Sequence, residues 1–127
     1  MSDETFQEYS RRNDTERQRI RYSDYLSMQL VRIGGVHACI DRWPKCARKM
    51  TNQIVAFKSD LVAWPRNLWL LDISDEDIDT LQVSARTALD RFDQAFFRKR
   101  FRLDRHEARH ALRAIEMLLC GELWRIG

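Results

Sequence analysis

Only four glycines and two prolines punctuate the 127 residues of this chain. So few breakers cannot supply the many tight turns of an all-β fold, and they leave long helices as the alternative. The apolar spacing agrees. Ala47, Met50, Ile54, Phe57 and Leu61 step by three and four, which lines them along one side of a helix. Ile78, Leu81, Ala85, Ala88, Phe92 and Ala95 repeat the stepping without a change of phase. Tyr22, Tyr25, Leu26, Leu30 and Ile33 form a third stripe, and Ala108, Ala111, Leu112, Ile115, Leu118 and Leu119 a fourth. Heptad-like stripes pack helices nearly antiparallel. The expected fold is all-α, a single-domain bundle of four main helices with short links, and a fifth short helix fits over 36–42.

Local signals place the boundaries. Residues 1–12 are polar without a clear period and are expected to form a mobile N-terminal arm, leaving 13–127 for the bundle. Asn13 and Glu16 have the spacing of a capping box that opens the first helix. Gly34-Gly35 is expected to stop or kink it, with Val36–Arg42 as the short extra helix. Pro44 suits the first turn of the next helix, and Pro65 ends that helix. Ser74 followed by Asp75, Glu76 and Asp77 makes an N-cap with acids at the positive helix end. Asp104 with Glu107 caps the last helix. Trp43 and Trp124 are expected in the core or at its edge.

A chain of this length can bury one core without disulfides or metals. Cys39, Cys46 and Cys120 cannot all pair with one another, no apolar leader is visible, and the longest aliphatic or aromatic run is Leu68–Leu71. These features point to a reducing, cytoplasmic setting with no membrane span.

The formal net charge is only +3, yet Arg outnumbers Lys eighteen to four, and guanidinium groups suit phosphate and carboxylate recognition. The charges are also segregated. Residues 72–93 hold seven acids, among them Asp75, Glu76, Asp77 and Asp79, against Arg86 and Arg91. Residues 98–113 hold seven bases, Arg98, Lys99, Arg100, Arg102, Arg105, Arg109 and Arg113, against Asp104 and Glu107. With Phe97 and Phe101 available for stacking, the second segment is the candidate surface for a polyanion or an acidic protein. The opposed patches also allow a self-complementary homodimer.

Several motifs have a plainer reading beside the chemical one. His106-Glu107-Ala108-Arg109-His110 matches H-E-x-x-H, in which two histidines one turn apart hold zinc and the glutamate acts as base. The metzincin spacing would require Gly at Arg113 and His at Glu116, and the neighbouring guanidinium groups would repel a dication. Both histidines also lie opposite the apolar stripe, so a solvated basic face is the expectation, with no metal and no cofactor. His37, Cys39 and Cys46 lack the spacing of a zinc knuckle and read as a cap or core histidine with free core thiols. Leu81–Thr87 resembles the turn of a helix-turn-helix, but the unbroken seam from Ile78 to Ala95 favours one continuous helix in an acidic region. The arginines at 11, 12, 17, 19 and 21 are interleaved with acids and read as surface pairs. Trp64, Leu68 and Trp69 sit in a greasy connection. They are either hydrophobic contacts for a partner or a plug that closes one end of the bundle.

The resulting expectation is a non-enzymatic regulator, adaptor or inhibitor. It would dock on a protein or a nucleic-acid-handling complex through charged surfaces. Direct DNA or RNA binding through Arg98–Arg113 is the alternative, and an H-E-x-x-H metal enzyme a remote one.

Overall fold

The computed structural model describes residues 5–97 and 103–127. It contains α1 (Phe6–Asp41), α2 (Ala47–Val62), α3 (Asp75–Phe97) and α4 (Arg105–Ile126), with a 3₁₀ turn at Trp69–Leu71. There is no strand among the described residues. Each helix packs on its successor, and α1 closes the ring against α4, so the all-α bundle of four main helices is the observed architecture.

The apolar stripes become the core. Met50, Ile54, Phe57 and Leu61 of α2 are buried, as are Ile78, Ala85, Ala88 and Phe92 of α3. Ala108, Ala111, Leu112, Ile115 and Leu119 of α4 complete the opposite wall. Small residues on the facing sides of α3 and α4 let these two helices approach closely.

Polar ties fix the register of the helices. The Tyr22 hydroxyl donates to Glu122 Oε1 at 2.7 Å and accepts from Trp64 Nε1 at 3.1 Å. This joins α1, α4 and the connector after α2 inside the core. Asp60 of α2 makes a second tie to α1. Its backbone carbonyl accepts from the Tyr25 hydroxyl at 2.8 Å, and its carboxylate accepts from the buried Gln29 amide at 3.1 Å.

The helix ends differ from expectation at three places. First, α1 opens seven residues before Asn13. Thr5 accepts from the Glu8 N–H, and Glu8 accepts from the Thr5 N–H, so the capping box is Thr5–Glu8. Residues 6–12 are therefore the first turns of α1 rather than an arm. Second, Gly34-Gly35 does not stop α1. No glycine has positive φ, and buried Ile33 and Val36 on either side hold the helix against the core. Residues 36–41 are thus the end of α1, and no fifth helix forms there. Third, Pro44 lies in the turn after α1, with a cis Trp43–Pro44 peptide, and α2 begins at Ala47.

The connector from α2 to α3 folds back on the bundle. Asn67 and Asp72 adopt left-handed backbone conformations, which Asn and Asp tolerate better than most residues. Trp64, Leu68 and Ile73 are consequently buried. The Ser74 cap is present, with its hydroxyl accepting from the Asp77 N–H at 3.1 Å.

Three substitutions test these points. Thr5→Ala removes the observed cap and should lower amide-exchange protection across residues 6–12, whereas Asn13→Ala should leave it unchanged. Tyr22→Phe leaves the buried Glu122 carboxylate short of a donor and Trp64 short of an acceptor. Urea unfolding should register a loss of about 1–3 kcal/mol.

Candidate interaction site

The start of α4 is anchored before its side chains are presented. The Asp104 N–H donates to the Ala95 carbonyl at 3.0 Å, and the Asp104 carboxylate accepts from the Glu107 N–H at 3.1 Å. With Ala108, Ala111, Leu112 and Ile115 facing the core, the helical period turns His106, His110, Arg113, Met117, Cys120 and Trp124 outward.

The first half of this outward face is cationic. Arg105, His106, Arg109, His110 and Arg113 line a shallow cleft of about 400 Å³. Two of its arginines are held from the bundle side. Arg109 pairs with Asp41 at the end of α1, and Arg105 donates to the Trp43 carbonyl at 3.4 Å. The His106 and His110 rings stack with centroids 6.4 Å apart. Of the predicted basic set, Arg105, Arg109 and Arg113 are therefore brought together. Arg98, Arg100 and Arg102 lie outside the described residues.

The second half of the face is apolar and bare. Met117 is 76% exposed and Trp124 88% exposed, with exposed Cys120 and Gly121 between them. Trp124 was expected in or beside the core. The helical period instead places it opposite Ile115, Leu119 and Glu122, so it faces solvent. The signal was present in the sequence: positions 106, 110, 113, 117, 120 and 124 step by four and three, a second stripe opposite the core stripe.

Other predicted site residues are placed elsewhere. Trp64 and Leu68 are 3% and 4% exposed, so they plug the bundle and offer no partner contact. Trp69, at 65% exposure, is the only one of the three on the surface. The acidic patch opens α3, where much of its charge is used internally. Arg125 donates to Asp77 at 3.0 Å and holds that carboxyl below the usual range. Asp79 pairs with Arg66, and Asp75 accepts from the Asn67 N–H at 3.3 Å, while Glu76 stays exposed.

The H-E-x-x-H string presents both histidines on the exposed outward face of α4. Glu116, at the position of the third metzincin ligand, contacts His37 Nε2 at 2.7 Å instead. No group of three His, Cys, Asp or Glu side chains is arranged to hold a metal among the described residues. No helix there is long and apolar enough to cross a membrane. A further cavity of about 240 Å³ lies between α2 and α3 over Leu61 and Leu89. It is smaller than the ~300 Å³ at which drug-sized ligand pockets begin. Compared with known proteins, the chain matches no family model, no curated protein and no solved structure.

The three thiols are free and differently placed. Cys39 is buried, and burial with Cys46 beside it pushes its thiol up. Cys120 is exposed in the middle of the α4 face. A maleimide should label Cys120 first in the native protein and Cys39 only after unfolding, as read by peptide mass mapping.

Proposed function

We propose that this protein acts by binding, as an adaptor or regulator that docks an acidic protein surface on the outward face of α4. The observation that carries this reading is the continuity of that face. A cleft of arginine and histidine side chains runs directly into exposed Met117 and Trp124. Arg, Trp and Met are enriched at protein interfaces, and a buried aromatic anchor beside charged rim contacts is the usual arrangement of a binding hot spot. In this reading Trp124 and Met117 provide affinity through burial. Arg105, Arg109, Arg113 and the two histidines select an acidic partner and steer its approach.

Direct nucleic-acid contact is the second reading, favoured by the three arginines of the cleft taken alone. The two separate on the role of the apolar half. Affinity purification from native cells, with nuclease treatment, should recover a protein partner that both Trp124→Ala and Arg109→Glu/Arg113→Glu lose. Oligonucleotide binding should be weak and should disappear between low and moderate salt. If oligonucleotides bind tightly, lose affinity only in the arginine variant and ignore Trp124→Ala, the nucleic-acid reading replaces the docking one.

A further inference from the structure

The turn between α1 and α2 brings two thiols together. Cys39 lies in the last turn of α1 and is 2% exposed, and Cys46 is the half-buried residue just before α2. The chain reverses between them through hydrogen bonds from the Arg42 N–H to the Cys39 carbonyl and from the Lys45 N–H to the Arg42 carbonyl. The reversal sets the Cys46 thiol in hydrogen-bonding contact with that of Cys39, and both are free. The third cysteine, Cys120, is exposed on the outward face of α4, about four turns beyond Arg105.

The loop bracketed by this pair reaches the cationic cleft. Asp41 within it pairs with Arg109, and its Trp43 carbonyl accepts from Arg105 at 3.4 Å. The Trp43 ring also meets Phe96 of α3 edge-on, with centroids 5.1 Å apart. Both arginines that are held from the bundle side are thus held by residues between Cys39 and Cys46.

We propose that Cys39 and Cys46 are a redox-active pair which a hydroperoxide closes to a disulfide, and that closure regulates the α4 cleft; the regulation rests on the docking reading, the disulfide does not. An accessible thiol beside a second, resolving thiol is the arrangement of a redox sensor. Cys46 is the more accessible and reacts first. Its thiol gives a proton to solvent, its sulfur attacks one peroxide oxygen, and the O–O bond breaks. Cys46 becomes a sulfenic acid, and the second oxygen takes up a proton and leaves as water or an alcohol. The Cys39 sulfur then attacks the Cys46 sulfur. An S–S bond forms, the S–O bond breaks, and the hydroxyl leaves as water with the Cys39 proton. The two sulfurs together give up two electrons, which reduce the peroxide. Burial and contact with Cys46 push the Cys39 thiol up, and the nearby charges of Lys49 and Arg42 pull it the other way. These cations favour the thiolate as it attacks. An S–S bond is about 2 Å long, well inside a contact between two thiols, so closure draws the ends of the loop together. Asp41 and Trp43 shift, and their hold on Arg109 and Arg105 shifts with them.

Hydrogen peroxide treatment of the dilute full chain tests both parts. The intact mass should fall by two hydrogens per chain, and a non-reducing tryptic digest should yield residues 33–42 joined to residues 46–48. Dithiothreitol should reverse both changes. Cys39→Ala should leave Cys46 as a sulfenic acid that dimedone traps. Cys46→Ser, a conservative change at a helix N-cap, should leave Cys39 unoxidised. In the wild type, disulfide formation should move the side-chain Nε–H NMR signals of Arg105 and Arg109 and leave that of Arg113, further along α4, in place. The disulfide is overturned if Cys46 collects sulfenic or sulfinic acid while Cys39 stays a free thiol, or if Cys46 joins only to other chains. Unmoved Arg105 and Arg109 signals in the oxidised protein overturn the regulation. Neither readout needs a partner, so each stands or falls apart from the docking reading.

Discussion

A buried carboxylate governs this architecture. Glu122 is 6% exposed, among side chains that otherwise form an apolar core. Desolvating such a group is unfavourable by several kcal/mol unless donors surround it. The Tyr22 hydroxyl meets that requirement, with Arg125 within 3.8 Å from the next turn of α4. Burial and the adjacent carboxylate push the Tyr22 hydroxyl far above its ordinary titration range, so it remains a donor at any physiological pH. Because the same oxygen accepts from Trp64, one contact fixes α1 against α4 and the connector against both. A slip of α4 by one residue would carry Glu122 out of reach of its donor and turn the core stripe sideways.

That register decides which residues are left outside. With Ile115, Leu119 and Glu122 inward, Met117 and Trp124 must point outward, and the arginine and histidine side chains of the first two turns fall in line with them. The acidic start of α3 is drawn into local pairs with Arg66 and Arg125, next to the end of α4. The basic start of α4 gives up only part of its charge, to Asp41 and the Trp43 carbonyl.

The four helices and most of their buried residues were legible in the sequence, because helix stripes and caps are local. Ser74 and Asp104 cap where their side chains can reach the next turn, and Ile78 to Ala95 form one helix because their seam never changes phase. The cationic cleft was legible in part, since Arg105, Arg109 and Arg113 share a face at helical spacing. Its apolar continuation was read wrongly at Trp124, because bulk and hydrophobicity suggest burial while only the direction of the side chain decides it.

By itself, then, the sequence determined the all-α class, the inward faces and the segregation of charge, all of which follow from the 3.6-residue period. Tertiary structure alone decided the rest. Core contacts at Ile33 and Val36 carry α1 through two glycines whose intrinsic preference is to end it. Left-handed turns at Asn67 and Asp72 send Trp64 and Leu68 inward while leaving Trp69 outside. Such outcomes rest on contacts between residues far apart in the chain, and no local pattern encodes which distant neighbour a side chain will meet.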